Sequence, residues 1–407
     1  MKPLSTKALQ IKESSTLVIA AKAKELAAAG ENLVAFTAGE PDFDTPDHIK
    51  KAAIDATKAG FTKYTATPGI IELRKAICEK LKKDNCLSYE SSQVIVSNGA
   101  KHALSNAFAA ILNSGDEVII PAPYWLTYPE LVALCGGTSK FVFTDSSSGY
   151  RPTVKQINDA ITDKTKAILI NSPNNPTGAV YSKDELTAIA EIAVTNDLYV
   201  ISDEIYEKLI YNEATPHVSI ASFDEEIFLR TIVINGYSKS YSMTGWRVGY
   251  TASNKEVAKV ITNIQSHQTS NINTLAQKAA FVAETRDTAS IEYMRLAFKR
   301  RKELMHELIS KVPGVEAANP DGAFYIFADI SKLVGKKSKT GTINNAADFA
   351  EFILMEQKLA LVPCADFGYS NHVRLSYACN EAEITEGMRR FAEFVDALGC
   401  NPILKAY

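Results

Sequence analysis

The sequence predicts an α/β protein, with a large domain built on a mostly parallel central sheet between helices and a smaller α+β domain beside it. Three observations carry this. Strand-like and helix-like segments alternate through the middle of the chain. The strand-like segments are short unbroken apolar runs, such as "VIVS", "VIIP" and "KAILIN", the pattern of strands covered on both faces. Past about residue 290 a long charged helix candidate, "SIEYMRLAFKRRKELMHELISKV", gives way to short strands interleaved with helices.

Taken in order, the first thirty residues hold one short apolar run, "LVIAA", closely followed by Lys22 and Lys24. That is too short and too charged for a signal peptide or a membrane span. "TPDHIKKAAIDATKAG" predicts a helix with Thr45 as N-cap and Pro46 in its first turn. "GIIELRKAICEKLKKDN" is a second, amphipathic helix. "QVIVSNGAKHALSNAFAAIL" reads as strand, turn and helix. "DEVIIPAP", "KFVFT" and "TKAILINSP" are strands, "KDELTAIAEIAVTND" a helix, and "LYVISDEIY", "RTIVING" and "RVGYTAS" strands again. These fill a large domain over 48–290. The remaining strands, "AFYIFADIS", "ALVPCADFG" and "HVRLSYA", alternate with the helices "NAADFAEFILMEQKL" and "EAEITEGMRRFAEFVDAL". They form the smaller domain over 291–407, to which the N-terminal arm, 1–47, is assigned. The lysine-rich "VGKKSKTGTINN" is expected to be an exposed loop.

Composition narrows the function. Hydrophobic residues at 46% and charged residues at 22% suit a soluble globular protein. A net charge of −3 gives no basic excess for nucleic acid, and no apolar run reaches spanning length. The cysteines, Cys78, Cys86, Cys135, Cys364, Cys379 and Cys400, are scattered without a CxxC. That argues against a zinc site or disulfide framework and for reduced thiols in the cytoplasm. His102, His217 and His372 have no ligand-spaced partners and are read as structural; no metal is expected.

In a doubly wound sheet, ligands bind beyond the carboxyl ends of the strands. Five such ends carry polar residues. After "VIVS" come Asn98, Gly99, Ala100 and Lys101 at the start of a helix, a ready anion site. After "VIIPAP" comes Trp125, and after "AILINSP" comes Asn175. "LYVIS" is followed by Asp203 and Tyr206, and "TIVING" by Ser238, Lys239 and Arg247. Singly, each has a plainer reading: Lys239 as an exposed loop lysine, Asp203 as a strand-end cap, Trp125 as a core aromatic. Together they match what pyridoxal 5'-phosphate needs. That group takes a lysine for its aldehyde and a carboxylate for its ring nitrogen. It also takes donors for its phenolate oxygen, an aromatic to stack on, and an arginine and helix N-terminus for its phosphate. Arg374, in the strand "HVRLSYA", would be costly to bury unpaired; a carboxylate ligand accounts for it better than a structural ion pair.

Seven segments, "AGEPDFDTP", "KYTATPGIIELRKAI", "PYWLTYPE", "NSPNNPTGAVY", "SDEIYE", "SKSYSMTGWRVGY" and "HVRLSYA", resemble in their order the class I, fold-type I, pyridoxal-phosphate-dependent aminotransferases. The likeness is greatest to the bacterial-type aspartate aminotransferase subgroup, and it covers essentially the whole chain. It implies that Lys239 bonds the cofactor and shuttles the proton between the substrate Cα and the cofactor. Asp203 would pair with the ring nitrogen, Tyr206 and Asn175 would bond the phenolate oxygen, and Trp125 would stack on the ring. Gly99, Ala100, Lys101, Ser238 and Arg247 would surround the phosphate, joined by Tyr64 from the second subunit of a homodimer. Arg374 would clamp the substrate α-carboxylate, with Asn175 and Gly39. Lys101, Ser15 and Thr16 would recognise a distal carboxylate, which favours aspartate and glutamate, although Lys101 has the plainer reading of a phosphate support. Lys12, before that serine run, leaves prephenate open as a substrate. Gly236 stands where the animal-type subgroup has a phosphate-binding serine, so specificity is not expected to rest on the animal-type arginine. The implied reaction is ping-pong transfer of the amino group from L-aspartate to 2-oxoglutarate. The alternatives are aromatic, alanine or prephenate amino transfer, or a β-lyase on the same cofactor.

Overall fold

The computed structural model describes residues 2–9, 11, 15–286 and 288–399. In the N-terminal arm, the short strand β1 (Val34–Ala35) precedes the central sheet. Seven strands then form that sheet: β2 (Val94–Ser97), β3 (Glu117–Ala122), β4 (Thr138–Phe143), β5 (Thr165–Asn171), β6 (Tyr199–Asp203), β7 (Thr231–Gly236) and β8 (Gly249–Ala252). Their order is β2-β8-β7-β6-β5-β3-β4. β8 runs antiparallel to both of its neighbours, and the other pairs are parallel. Every strand but β8 therefore points the same way. The residues that follow Ser97, Ala122, Asn171, Asp203 and Gly236 emerge at one edge.

Unbroken apolar strands follow from burial on both faces. Successive side chains alternate sides. Ile95, Val118, Ile120, Leu169, Ile201, Ile232 and Ile234 pack with the helices Ala100–Ile111 and Lys255–Gln268. Their strand neighbours Val94, Val96 and Val233 meet the helices Ile71–Asn85 and Thr274–Arg286 on the other side. Ile119, Ile168, Ile170 and Val200 meet Lys183–Thr195. Gly236 and Gly249 face each other across β7 and β8. A Cβ on Gly236 would lie 2.8 Å from the Gly249 Cα, and one on Gly249 would lie 2.4 Å from the Ala100 nitrogen. β7, β8 and the start of the Ala100 helix are thus pressed together with no room for side chains.

A smaller antiparallel sheet comprises β9 (Glu316–Ala317), β10 (Tyr325–Asp329), β12 (Val362–Pro363) and β13 (His372–Ser376), in the order β12-β13-β10-β9. β11 (Leu359–Ala360) pairs in parallel with β1. The helices Ala289–Ile309, Ala346–Gln357 and Glu381–Ala397 complete the surrounding core. That core also takes Phe36 from the N-terminal arm and Ile205, Tyr206, Leu209 and Tyr211 from the segment after β6. Packing therefore ties the end of β6 to the smaller sheet.

One predicted cap is not made. The helix begins at Asp47, and Pro46 in extended conformation precedes it without a side-chain cap. Thr45 instead donates its hydroxyl to the Ser242 carbonyl at 2.6 Å, close to the segment that carries Lys239. Among the described residues no helix is long and apolar enough to cross a membrane. Cys78, Cys86, Cys135, Cys364 and Cys379 are free thiols, and Cys400 lies outside the described residues.

Candidate active site

The first strand end makes an anion cradle. β2 leaves the sheet through Asn98 and Gly99 and enters the helix Ala100–Ile111. Gly99 has φ +85°, and a Cβ there would lie 2.5 Å from Arg247 Nη2. The site thus needs glycine both for its backbone and to admit the guanidinium. Arg247 itself has φ +57°, a left-handed conformation that costs a non-glycine residue about 1 kcal/mol or more. It is held there by Nη1 donating to the Thr244 carbonyl at 2.8 Å and Nη2 to the Asn98 carbonyl at 3.3 Å. The first N–H groups of a helix have no intrahelical acceptor. Together with the guanidinium they suit a phosphate. Lys101 is exposed, with Nζ 5.0 Å from the Trp125 ring centroid. Burial and then Arg247 lower its pKa. Trp125 is half-buried, edge-on to Tyr128 at 5.4 Å, and Ser238 is buried.

Asp203 ends β6 and is 2% exposed. Its Oδ2 accepts from the Tyr128 hydroxyl at 2.7 Å and its Oδ1 from the Ile205 N–H at 3.2 Å. Neither partner carries a charge. Burial pushes the carboxyl pKa up to about 6, although both bonds and Lys239 pull it down. Beside it, Asn171 at the end of β5 donates to the Asp203 carbonyl at 3.1 Å and accepts from the Asn175 N–H at 2.9 Å. That fixes the Asn175 turn against the Asp203 strand end. The Tyr206 hydroxyl lies 3.0 Å from that of Tyr325.

Lys239 follows β7. Its Nζ donates to the Gly39 carbonyl at 2.5 Å. Burial lowers the amine to about 8; Glu40 opposes this, Arg374 and Arg247 lower it further, and Asp203 raises it. Arg374 on β13 is 2% exposed. Nη1 donates to Asn175 Oδ1 at 3.1 Å and Nη2 to the Thr37 carbonyl at 3.3 Å, while Nε is buried without a hydrogen-bond partner. The guanidinium lies 4.3 Å from the Tyr325 ring centroid. An amine of lowered pKa thus sits among two arginines and a buried carboxylate, a set able to hold a doubly anionic ligand and move a proton.

Most of the predicted residues come together here, and Tyr64 and Thr16 do not. Tyr64 is 91% exposed. Thr16, in the helix Ser15–Ala28, has a buried hydroxyl without a hydrogen-bond partner. Ser15 begins that helix, but its side chain, like residue Lys12, lies outside the described residues. Tyr128 and Tyr325 were not singled out by sequence. Tyr128 follows Trp125 by one helical turn, the one local signal available. The sequence offers His217 no ligand-spaced partners, but the fold gives it acidic neighbours. Its Nε2 lies 3.0 Å from Glu204 Oε2, and Glu204, Glu207 and His217 bring ligand-type atoms within 4.8 Å of one another. These carboxylates are already satisfied. Glu204 accepts from Ser202 at 2.9 Å and Ser219 at 2.7 Å, and Glu207 from Lys80 and Asn85.

Known proteins resemble this chain over nearly its whole length. Residues 31–391 match the family model described as aminotransferase class I and II. An aspartate aminotransferase of Bacillus sp. (strain YM-2) is 47% identical, over 96% of this chain and 99% of that protein. A probable aspartate/prephenate aminotransferase of Aquifex aeolicus is 45% identical, over 98% and 100%. The solved structure of aspartate aminotransferase from Thermus thermophilus with maleate superposes with a TM-score of 0.91. It is 42% identical, over 97% of this chain and 100% of that one.

Proposed function

The chain belongs to the class I and II aminotransferase family, and on that premise we propose that it is an aspartate aminotransferase. It would transfer the amino group of L-aspartate to 2-oxoglutarate by a ping-pong mechanism, giving oxaloacetate and L-glutamate. The observation that carries this reading is Lys239. It leaves β7 at the sheet edge where β6 ends in Asp203, and its amine, whose pKa burial, Arg374 and Arg247 lower, donates to the Gly39 carbonyl at 2.5 Å. One arginine suits a cofactor phosphate and the other a substrate carboxylate.

The donor set fits pyridoxal 5'-phosphate. Gly99 admits the Arg247 guanidinium against the helix N-terminus, Asp203 is a buried carboxylate bonded only to neutral donors, and the Arg374 Nε has no partner. We assign the phosphate to Gly99, Ala100, Lys101, Ser238 and Arg247, with Tyr64 of the partner subunit. Asp203 would bond the ring nitrogen, and Trp125 would lie against the ring. Tyr206 and Asn175 would bond the phenolate oxygen. Asn175 Oδ1 accepts from Arg374 Nη1, which leaves the Asn175 NH2 group to donate. When bound, the group supplies an electron sink next to the substrate Cα. Lys239 then moves the Cα proton, a task suited to an amine of lowered pKa. Arg374 and the Gly39 backbone hold the α-carboxylate. Lys101, Ser15 and Thr16 would read the distal one.

The assembly proposed is a homodimer, each subunit divided as 48–290 against 1–47 with 291–407. A cytoplasmic location is supported by the five free cysteines among the described residues. The purified protein with pyridoxal phosphate should show a visible absorbance that Lys239→Ala removes. Aspartate should change that absorbance with a higher kcat/KM than alanine, tyrosine or prephenate. An unchanged spectrum in Lys239→Ala would end the proposal; a preference for prephenate would move it to the neighbouring activity.

A further inference from the structure

We propose that Tyr325 is a positioning residue that joins Arg374 to Tyr206, so that the carboxylate clamp and the phenol beside the cofactor are set by one side chain. The inference rests on the aminotransferase reading above. Tyr325 lies on β10, where Phe327 pairs with Arg374 across the antiparallel ladder. Tyr325, two residues from Phe327, shares its face of the sheet. That places its ring under Arg374, 4.3 Å from the guanidinium carbon. The contact uses the ring face and no hydrogen bond. It fixes the guanidinium plane without consuming a donor, and the buried Nε has no hydrogen-bond partner.

The other end of the side chain meets Tyr206, with the two hydroxyl oxygens 3.0 Å apart. A phenol has one proton to give and can accept as well. If Tyr206 gives its proton to the cofactor oxygen, its own oxygen is left to accept, and the Tyr325 hydroxyl is the donor in reach. That bond would polarise Tyr206 as a donor. A Cβ on Gly39 would come 4.0 Å from the Tyr325 hydroxyl. The segment that accepts the Lys239 amine therefore lies against the same group. Tyr325 is 1% exposed, so a plainer role as a buried, satisfied tyrosine must be separated from this one.

Two holoenzyme variants separate them, Tyr325→Phe, which keeps the ring, and Tyr325→Leu, which does not. Three readouts serve: the pH midpoint of the visible cofactor absorbance, the Kd for maleate, and Tm. Tyr325→Phe should raise the midpoint by about 0.5 pH unit, the share of a neutral hydrogen bond. It should leave the maleate Kd within about twofold, since the ring contact survives. Tyr325→Leu should raise the midpoint comparably and weaken maleate about tenfold. Wild-type midpoint and maleate affinity in both variants, with Tm alone lowered, would overturn the proposal. Should Tyr325→Leu not fold, an unshifted Tyr325→Phe midpoint overturns the polarising role by itself. A wild-type holoenzyme without pH-dependent visible absorbance would instead overturn the functional reading, and this inference with it.

Discussion

Asp203 is held in its site at a cost. Its side chain is buried, its partners are neutral, and its pKa of about 6 lies above the ordinary 3.8. A carboxyl whose folded pKa is raised contributes stability that is fully present below its unfolded pKa. That contribution is lost as pH rises through the folded value. Without cofactor, Asp203→Asn should therefore stabilise the protein at pH 8 by about 3 kcal/mol and have little effect near pH 4. The same substitution should abolish amino transfer, since an amide cannot keep the ring nitrogen protonated. Denaturant melts at the two pH values check it; equal stability of both proteins at pH 8 would contradict it. Asp203, Lys239 and Arg247 were legible because each follows a strand at the ligand-binding edge. Tyr128 and Tyr325 were not, because their partners lie 75 and 119 positions away. Inside "PYWLTYPE" and "AFYIFADIS" a phenol with a distant buried partner looks like any core aromatic.

At the scale of the element, the segment after β6 must carry Asp203 and Tyr206 on a fixed path. Its anchors are the buried carboxylates of Glu204 and Glu207. Lys80 and Asn85, at the end of the helix Ile71–Asn85, bond the Glu207 carboxylate, and His217, Ser202 and Ser219 bond Glu204. The Lys80 and Glu207 side chains are 7% and 4% exposed. Removing one member of such a pair strands the other. Lys80→Met should therefore cost about 3–5 kcal/mol at pH 7. Burial alone would raise Glu207, but Lys80 foremost, then His217 and Lys208, bring it down to about 2. A depressed carboxyl contributes stability that is present above its unfolded pKa and lost as pH falls through the folded value. The penalty of Lys80→Met should accordingly shrink between about pH 4 and pH 2. Unfolding at several pH values reads this, and a penalty below about 1 kcal/mol at pH 7 would deny the anchor its role. The pairing was not legible because the lysine belongs to an amphipathic helix whose polar residues read as solvent-facing. The same limit applies to Thr45, whose type and place suit a cap until Trp246, far along the chain, donates its indole N–H to the hydroxyl oxygen at 2.9 Å.

At the scale of the whole molecule, the apolar strands announced a two-faced sheet and its binding edge, because burial on both sides leaves no polar alternation. The reversal of β8 was not announced, since its residues "GYTA" read like any buried strand and the short "SKSYSMTGWR" link permits the return. The proposed second subunit would account for Tyr64. It stands 91% exposed, unusual for a large aromatic, in the segment "KYTATPG". If that ring completes the phosphate site of a second copy, each active site needs Lys239 from one chain and Tyr64 from the other. Lys239→Ala dimers should be inactive, and Tyr64→Ala dimers should bind cofactor weakly and turn over slowly. Mixing equal amounts under exchanging conditions makes half of the dimers hybrids. Each hybrid carries one site with both residues intact, so activity should rise toward about one quarter of wild type, above the sum of the parents. The cofactor's absorbance should recover alongside it, which separates a restored site from a merely stabilised chain. Hybrids no more active than the mean of the two parents would place Tyr64 within its own subunit's surface and leave the phosphate to Gly99, Ser238 and Arg247 alone.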